Sequence, residues 1–344
     1  MKLKELKFPV EIFPTKEKVL QIKEGVYWVK LLLPSMISHV NAYILDDEDG
    51  ISIIDTGLSC VSCKESWTHI LTHDFKNKSI KRIIITHHHP DHIGLLGWFK
   101  KKFNTEIWTS RSSWLTGRML TLDKKNEVST ELLNFWLSAG MPSEIIEKKR
   151  LEKPFNFSDY VDKIPLGYRR MVEEEQLLID NKKWFVKLCN GHAPEQIFLF
   201  CPDLKIIISG DQILPGISPN LSVYPTEPLA NPLAEYLEDC EKLLNIEDLG
   251  YLVLPGHNLP FYGFNTRVEQ LINHHQSALK RIQKYIDKTP KSAYDIFPAL
   301  FKRKIKNYEL TLALGESVAH LNYLFKKGII KKEVDKKGVN LFVK

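Results

Sequence analysis

Nine residues constrain this chain more than any others: Thr86-His87-His88-His89-Pro90-Asp91-His92-Ile93-Gly94. They set four histidines and a carboxylate directly behind the apolar run Lys81-Arg82-Ile83-Ile84-Ile85. A β-branched run reads as a buried strand, and Pro90 then turns the chain into an apolar, helix-like segment from Ile93 to Phe103. The polar residues therefore fall in a loop at the carboxyl end of a strand, where α/β folds usually place their chemistry. His87 and His89 alternate around His88, so in an extended loop both can face one metal ion while His88 points away. Asp91 and His92 lie one step on and can face a second ion. Imidazole and carboxylate suit zinc, iron or manganese, and crowded histidines need partners, which here are further histidines.

Other apolar runs end in the same way. Trp184 to Leu188 leads into Cys189-Asn190-Gly191-His192-Ala193-Pro194-Glu195-Gln196, Lys205 to Ile208 into Ser209-Gly210-Asp211, and Tyr251 to Leu254 into Pro255-Gly256-His257. An acidic residue behind an Ile run is costly to bury unless it is paired or binds metal. Gly50 to Ile54 is a further strand, closed by Asp55-Thr56-Gly57, where a carboxylate beside glycine is by itself an ordinary turn residue. A lone histidine such as His192 would by itself be an ordinary hydrogen-bonded residue.

Taken together, the His-x-His-x-Asp-His stretch, Gly191-His192-x-Pro194, Ser209-Gly210-Asp211 and Pro255-Gly256-His257 make the chain resemble the metallo-β-lactamase superfamily. The resemblance implies an α/β fold, the αββα sandwich of that family, and a site for two divalent metal ions. It assigns His87, His89 and His192 to one ion, Asp91, His92 and His257 to the other, and Asp211 to a place between them. Asp55 is implied to stand beside these ligands and orient an imidazole. In one respect the chain departs from the pattern: many thioesterase-like members continue with Gly-His after the proline, where this chain has Glu195-Gln196.

At 344 residues the chain suggests one large domain with an appendage. We expect a catalytic domain over residues 1–265, with a helical insertion at 113–172 acting as a lid or pocket wall, and a small domain over 266–344. The last part reads as helices at 267–288, 293–301 and 308–327, followed by a hairpin turning at Lys337-Gly338. That order, with Ala313-x-Gly315-Glu316-x-x-x-His320-Leu321-x-x-Leu324, resembles the winged-helix-type domain found on a subset of the same family. His274 and His275 are expected at solvent or at an interface rather than as ligands, and the resemblance implies that such a domain binds nucleic acid or serves packing or a homodimer contact. Residues 267–344 hold 17 basic and 7 acidic side chains, against 31 and 35 in the rest. A basic appendage is either a nucleic-acid footprint or a Lys-rich solvated surface.

Five cysteines in a chain this long argue against a disulfide framework, and Cys60-x-x-Cys63 is expected to be two ordinary thiols at a helix start. The Met1 to Lys7 stretch has no continuous apolar core, and no run approaches membrane-spanning length, so the expectation is a cytoplasmic protein without a membrane partner.

Two divalent ions held by imidazoles and carboxylates lower the pKa of a bridging water from about 15.7 toward about 7, giving a hydroxide at neutral pH. The expected activity is thus a metal-dependent hydrolase, with zinc foremost and iron or manganese as alternatives. Asp91 is the expected proton carrier, and Tyr224 and Asn220 in the irregular Leu214 to Pro232 segment are candidate substrate contacts. The favoured substrate is an ester, thioester or lactone of a small or medium organic molecule. A metal-dependent endoribonuclease or phosphodiesterase is the alternative. No nucleophile elbow, phosphate loop or dinucleotide fingerprint competes.

Overall fold

Runs that are apolar without interruption become strands covered on both faces. In the computed structural model, which describes residues 6–34, 38–287 and 289–344, β1 (Val19–Lys23), β2 (Val26–Leu32), β3 (His39–Asp47), β4 (Gly50–Ile54), β5 (Ser79–Ile84), β6 (Glu106–Thr109) and β7 (Arg169–Arg170) form one seven-stranded sheet in that order. Pairing is antiparallel from β1 to β4 and parallel from β4 to β7. A second sheet runs β13-β12-β11-β10-β9-β8, built from β8 (Gln176–Ile179), β9 (Lys182–Cys189), β10 (Gln196–Cys201), β11 (Ile206–Gly210), β12 (Leu252–Pro255) and β13 (Phe261–Tyr262). Residues 1–5, within the N-terminal stretch read for a signal, and Lys288, the expected end of a helix, lie outside the described residues.

The sheets face each other across a shared core in which Trp28, Tyr43, Ile54 and Ile84 meet Trp184, Ile197, Leu199 and Ile208. A second core lies on the other side of the first sheet, where Ile51, Ile53 and Ile83 pack on Trp67, Ile70, Leu96 and Phe99. Those last four come from α1 (Val61–His73) and from α3 (Leu96–Phe103), which follows the short α2 (Pro90–Ile93). The mixed α/β architecture expected from the sequence is thus present.

Helix starts differ from expectation for local reasons. The segment expected to be helical from Ile93 begins at Pro90, which occupies the first turn where a missing N–H costs nothing, and it breaks at Gly94 before α3. A side chain at Gly94 would collide with the carbonyls of Gly57 and Pro90. Beyond β6, α4 (Arg111–Leu122) is capped by Ser110, whose Oγ accepts from the Ser113 amide at 3.2 Å.

Two compact units make up the chain: residues 1–124, 156–219 and 247–267, and residues 125–155, 220–246 and 268–344. They do not follow a contiguous boundary near residue 265, because 125–155 and 220–246 group with the C-terminal residues. The 113–172 stretch is accordingly not continuous helix: α4 lies in the first unit, α5 (Thr130–Ser138) and α6 (Ser143–Arg150) in the second, and residues 151–168 hold only a short 3-10 turn.

The second unit also contains α7 (Pro232–Leu243), most of α8 (Phe264–Ile286), α9 (Phe297–Phe301), α10 (Leu310–Lys326) and the hairpin β14 (Lys331–Val334) and β15 (Asn340–Val343). Asp335 Oδ1 closes the hairpin turn by accepting from the amides of Lys337 at 2.8 Å and Val339 at 2.9 Å. α9 is shorter than the expected 293–301 because Asp295 Oδ2 folds back to accept from the Ser292 amide and hydroxyl.

His275 is a correction. It is fully buried rather than facing solvent, on the same α8 stripe as Leu271, Ala278, Leu279 and Ile282. Its Nδ1 lies 3.4 Å from His320 Nε2, and His320 Nδ1 donates to the Glu316 carbonyl at 2.8 Å. Burial, reinforced for His275 by the His320 ring, pushes His275 well below the usual histidine range and His320 down to about 4.

On the same helix as His320, burial raises the Glu316 carboxyl to about 7, opposed by a 3.1 Å hydrogen bond donated by Asn220 Nδ2. The folded state therefore holds this proton more tightly than the unfolded chain, whose glutamate titrates near 4.5, and stability falls as pH rises from about 4.5 through about 7. Glu316→Gln keeps an acceptor for Asn220 and removes the charge. We expect it to raise the thermal midpoint at pH 8 and to leave it unchanged at pH 4.5, as followed by circular dichroism.

Candidate metal centre

Each ligand-type residue stands just beyond the end of an apolar strand in the first unit. β5 is followed by Thr86 to His92, β9 by His192, β11 by Asp211 and β12 by His257. Hydrogen bonds between these ends set them side by side: the Asp55 amide donates to the Ile84 carbonyl at 2.9 Å, the Ile197 amide to Thr86 at 2.7 Å, and the Gly256 amide to Gly210 at 2.7 Å.

The donor atoms of His87, His89 and His192 lie within 4.8 Å of one another, as do those of Asp91, His92 and His257. A third set, His87, His92 and Asp211, overlaps both. Asp211 Oδ2 lies 3.5 Å from His192 Nε2 and 3.2 Å from His257 Nε2, and Asp211 Oδ1 is 3.5 Å from His92 Nε2. All seven residues named from the sequence are thus brought together. His88, expected to point away, belongs to none of the three sets.

Asp55 sits behind this cluster, 3 % exposed and with a φ of 61°. Its Oδ1 accepts from the Thr86 amide at 2.7 Å, and its Oδ2 accepts from Thr86 Oγ1 at 2.7 Å and lies 2.8 Å from His92 Nδ1. With Asp55 ionised, His92 Nδ1 is the donor, so Nε2 is the atom turned toward Asp91 and Asp211. His257 is oriented in the same way, since its Nδ1 lies 2.9 Å from the His39 carbonyl, which can only accept.

The two halves differ electrically. Burial, aided by the surrounding imidazoles, holds His87 and His89 well below the usual range, so they are neutral and carry lone pairs. In the other half burial opposes charging of His92 and His257, but Asp211 and Asp91 outweigh it. His92 is raised well above the usual range and His257 to about 10. Asp91 and Asp211 are held below the ordinary carboxylate range by these histidines against the same cost of burial.

The residues fit a bound cation. His92 Nε2 and Asp211 Oδ1 are buried with no hydrogen-bond partner among the described residues. His87 Nε2 and His89 Nδ1 face each other at 3.1 Å, an arrangement that needs a shared proton or cation. Gly256 leaves the space beside them open: a Cβ there would collide with Asp211 Oδ1 and come within 2.8 Å of His92 Cε1.

Several supporting residues escaped the sequence reading. Asn41 and Tyr43 of β3 reach across to the turn bearing His257: Asn41 Nδ2 donates to the carbonyls of Pro255 at 2.9 Å and Asn258 at 2.7 Å, and the Tyr43 hydroxyl donates to Pro255 at 2.7 Å. An asparagine inside Val40-Asn41-Ala42-Tyr43 was the available signal, since a buried amide must find partners. Gln196 Oε1 accepts from the Asp211 amide at 3.3 Å, and Gln196 Nε2 donates to Gln212 Oε1 at 3.4 Å. Arg267, counted in sequence as the first of a basic surplus, is fully buried and donates to the carbonyls of Leu214 at 2.6 Å and Ile217 at 2.7 Å. Asn220 and Tyr224 belong to the second unit, where Asn220 bonds Glu316 and Tyr224 is half-exposed.

Comparison with known proteins gives a consistent result. Residues 37–257 match the family described as the metallo-beta-lactamase superfamily, and residues 279–344 match a metallo-beta-lactamase-like C-terminal domain. A Bacillus subtilis protein named "Probable metallo-hydrolase YqjP" is 22 % identical over 309 residues, covering 88 % of this chain and 92 % of its own length. The crystal structure of a beta-lactamase domain protein from Burkholderia ambifaria superposes with a TM-score of 0.91 at 30 % identity, covering 100 % of this chain and 98 % of that one. A metallo-beta-lactamase family protein from Thermus thermophilus gives 0.76 at 25 % identity, covering 94 % and 99 %.

The tight space at Gly256 makes a specific prediction. Gly256→Ala is expected to displace Asp211 and lower bound metal by more than about tenfold, a loss of the size seen when partners of metal ligands are removed. Elemental analysis after dialysis measures it, and circular dichroism shows whether the fold persists.

Proposed function

Because the chain belongs to the metallo-β-lactamase superfamily and is a metal-dependent hydrolase, we propose that it binds two divalent ions, zinc foremost, and cleaves an ester, thioester or lactone of a small or medium organic molecule. One ion would be held by His87, His89 and His192, the other by Asp91, His92 and His257, with Asp211 shared. The observation that carries this reading is the pair of overlapping donor sets, one of imidazoles alone and one with carboxylates, joined through Asp211.

Divalent ions bound there would supply an acidified water at neutral pH and polarise the substrate oxygen. The chain's own residues do the rest. Neutral His87 and His89 offer lone pairs without first losing protons. Asp55 and the His39 carbonyl fix the rings of His92 and His257 so that Nε2 faces inward. Asp91, whose Oδ2 lies 3.3 Å from His257 Nε2, would orient the attacking water and receive its proton.

The choice of a neutral carbonyl substrate is supported by charge. Residues 1–266, which carry the whole centre, hold 31 basic and 35 acidic side chains and so do not attract a polyanion. Phosphodiester cleavage is the second reading, favoured by the ten-charge basic surplus of residues 267–344.

An assay panel of thioesters, lactones, simple esters and single-stranded RNA, run with wild type and Asp211→Ala, separates them. We expect carbonyl substrates to turn over and Asp211→Ala to lower the rate by more than about 100-fold. Turnover of RNA alone would overturn the carbonyl reading, and fewer than two metal equivalents after gentle purification would overturn the two-ion arrangement.

A further inference from the structure

Two loops of the first unit must be held at a fixed distance for His87, His89 and His192 to close on one ion. His87 and His89 share the loop after β5, whereas His192 lies between β9 and β10. Cys189 and Gln196 face each other across that second ladder, so residues 190–195 form one closed loop. Within it, Asn190 Oδ1 accepts from the Glu195 amide at 3.0 Å. Outward, Glu195 Oε2 accepts from the Ser112 amide of α4 at 2.8 Å, a bond that spans 83 residues of sequence.

α4 is in turn fixed to the stretch that carries His87 and His89. Thr109, just before the helix, donates from Oγ1 to the Ile85 carbonyl at 3.0 Å, and the Ile85 amide donates to the Trp108 carbonyl at 2.9 Å. Further along, Gly117 lies against the same stretch: a Cβ there would come within 3.1 Å of Ile93 Cδ1 and 3.8 Å of His88 Cβ. An ordinary helix cap is local, and Ser110 already provides one through the Ser113 amide. Glu195 differs because it takes a left-handed backbone, with a φ of 48°, that glycine would accept without strain. It also stands where the sequence departs from the Gly-His of thioesterase-like members of the family. A strained, charged residue in that place is accounted for by what its carboxylate reaches.

We infer that Glu195 is a positioning residue for the three-imidazole half of the centre. Docked on α4, it sets the spacing between the His192 loop and the loop of His87 and His89, and with it the affinity for the ion held there. The inference rests on the two-ion reading proposed above. Glu195 belongs to none of the donor sets, so removing it leaves every ligand present. The set of Asp91, His92 and His257 takes no member from residues 190–195, and Asp55 and the His39 carbonyl hold its rings separately. Loss of Glu195 therefore acts on one ion and spares the other.

The test measures Zn2+ affinity of the full-length protein at both halves, by competition with a chromophoric chelator. His192→Ala identifies the equivalent held by the imidazole set, and His257→Ala identifies the other. Glu195→Ala is expected to weaken the first equivalent by about tenfold or more, the loss typical when a partner of a metal ligand is removed. Glu195→Asp, one methylene too short to reach Ser112, should do the same, and both should leave the second equivalent unchanged. Glu195→Gln should restore the first to within about threefold, since an amide oxygen accepts the same bond without the charge. Circular dichroism checks that each variant stays folded. Equal weakening of both equivalents, wild-type affinity in Glu195→Ala, or no recovery in Glu195→Gln overturns the inference. If wild type itself holds no equivalent that His192→Ala removes, the two-ion reading falls with it, a result seen before any Glu195 variant is made.

Discussion

The Asp55 carboxylate is the interaction on which the rest of the centre depends. It sits at the end of β4 among apolar strands, where an unpaired charge would cost several kcal/mol. Three donors satisfy it: the amide and hydroxyl of Thr86 and the Nδ1 of His92. These contacts tie the end of β4 to the loop after β5 and fix the plane of the His92 ring. The left-handed backbone at Asp55 costs on the order of 1–3 kcal/mol. Such a conformation persists because the surrounding hydrogen bonds leave the carboxylate no other place.

A second layer of polar contacts joins the two sheets. Asn41 and Tyr43 leave the first sheet to hold the carbonyl of Pro255 and, for Asn41, that of Asn258. His257 therefore cannot move without breaking bonds to β3, and its ring is tied as well to the His39 carbonyl. The Gly256 amide meets the Gly210 carbonyl, so the Asp211 and His257 turns are fixed to each other. Four separate stretches of chain thereby act as one rigid frame, as positioned donor groups require.

Much of this frame was legible in the sequence because each ligand follows an apolar strand and a tight turn, a pattern that local residues alone produce. The seven clustered residues were named from that pattern and from the family resemblance. What could not be read is long-range pairing. Gln196 opens β10, but its task, holding the Asp211 amide, exists only once β10 and β11 are neighbours. Arg267 looked like one more surface cation because burial of a guanidinium depends on distant carbonyls at Leu214 and Ile217. His275 was misplaced for the same reason: its partner His320 is 45 residues away. The grouping of residues 125–155 with the C-terminal unit likewise rests on contacts such as the Tyr294 amide to the Ala139 carbonyl, which no periodicity announces.

Arg267 ties down the stretch that follows Asp211. The segment after Asp211 has no regular hydrogen-bonded structure as far as Pro232, and such loops are ordinarily free to move. Here a buried guanidinium accepts a large desolvation cost in order to bond the carbonyls of Leu214 and Ile217, while Asn258 Nδ2 donates to Pro215 at 3.2 Å. A charge buried in this way is tolerated only where its geometry is fixed, so these bonds hold residues 214–217, directly after Asp211 in the chain, in one conformation. Ligand residues common to a whole superfamily determine the class of reaction. What is particular to this chain lies in contacts such as these, which the local sequence around Asp211 does not supply.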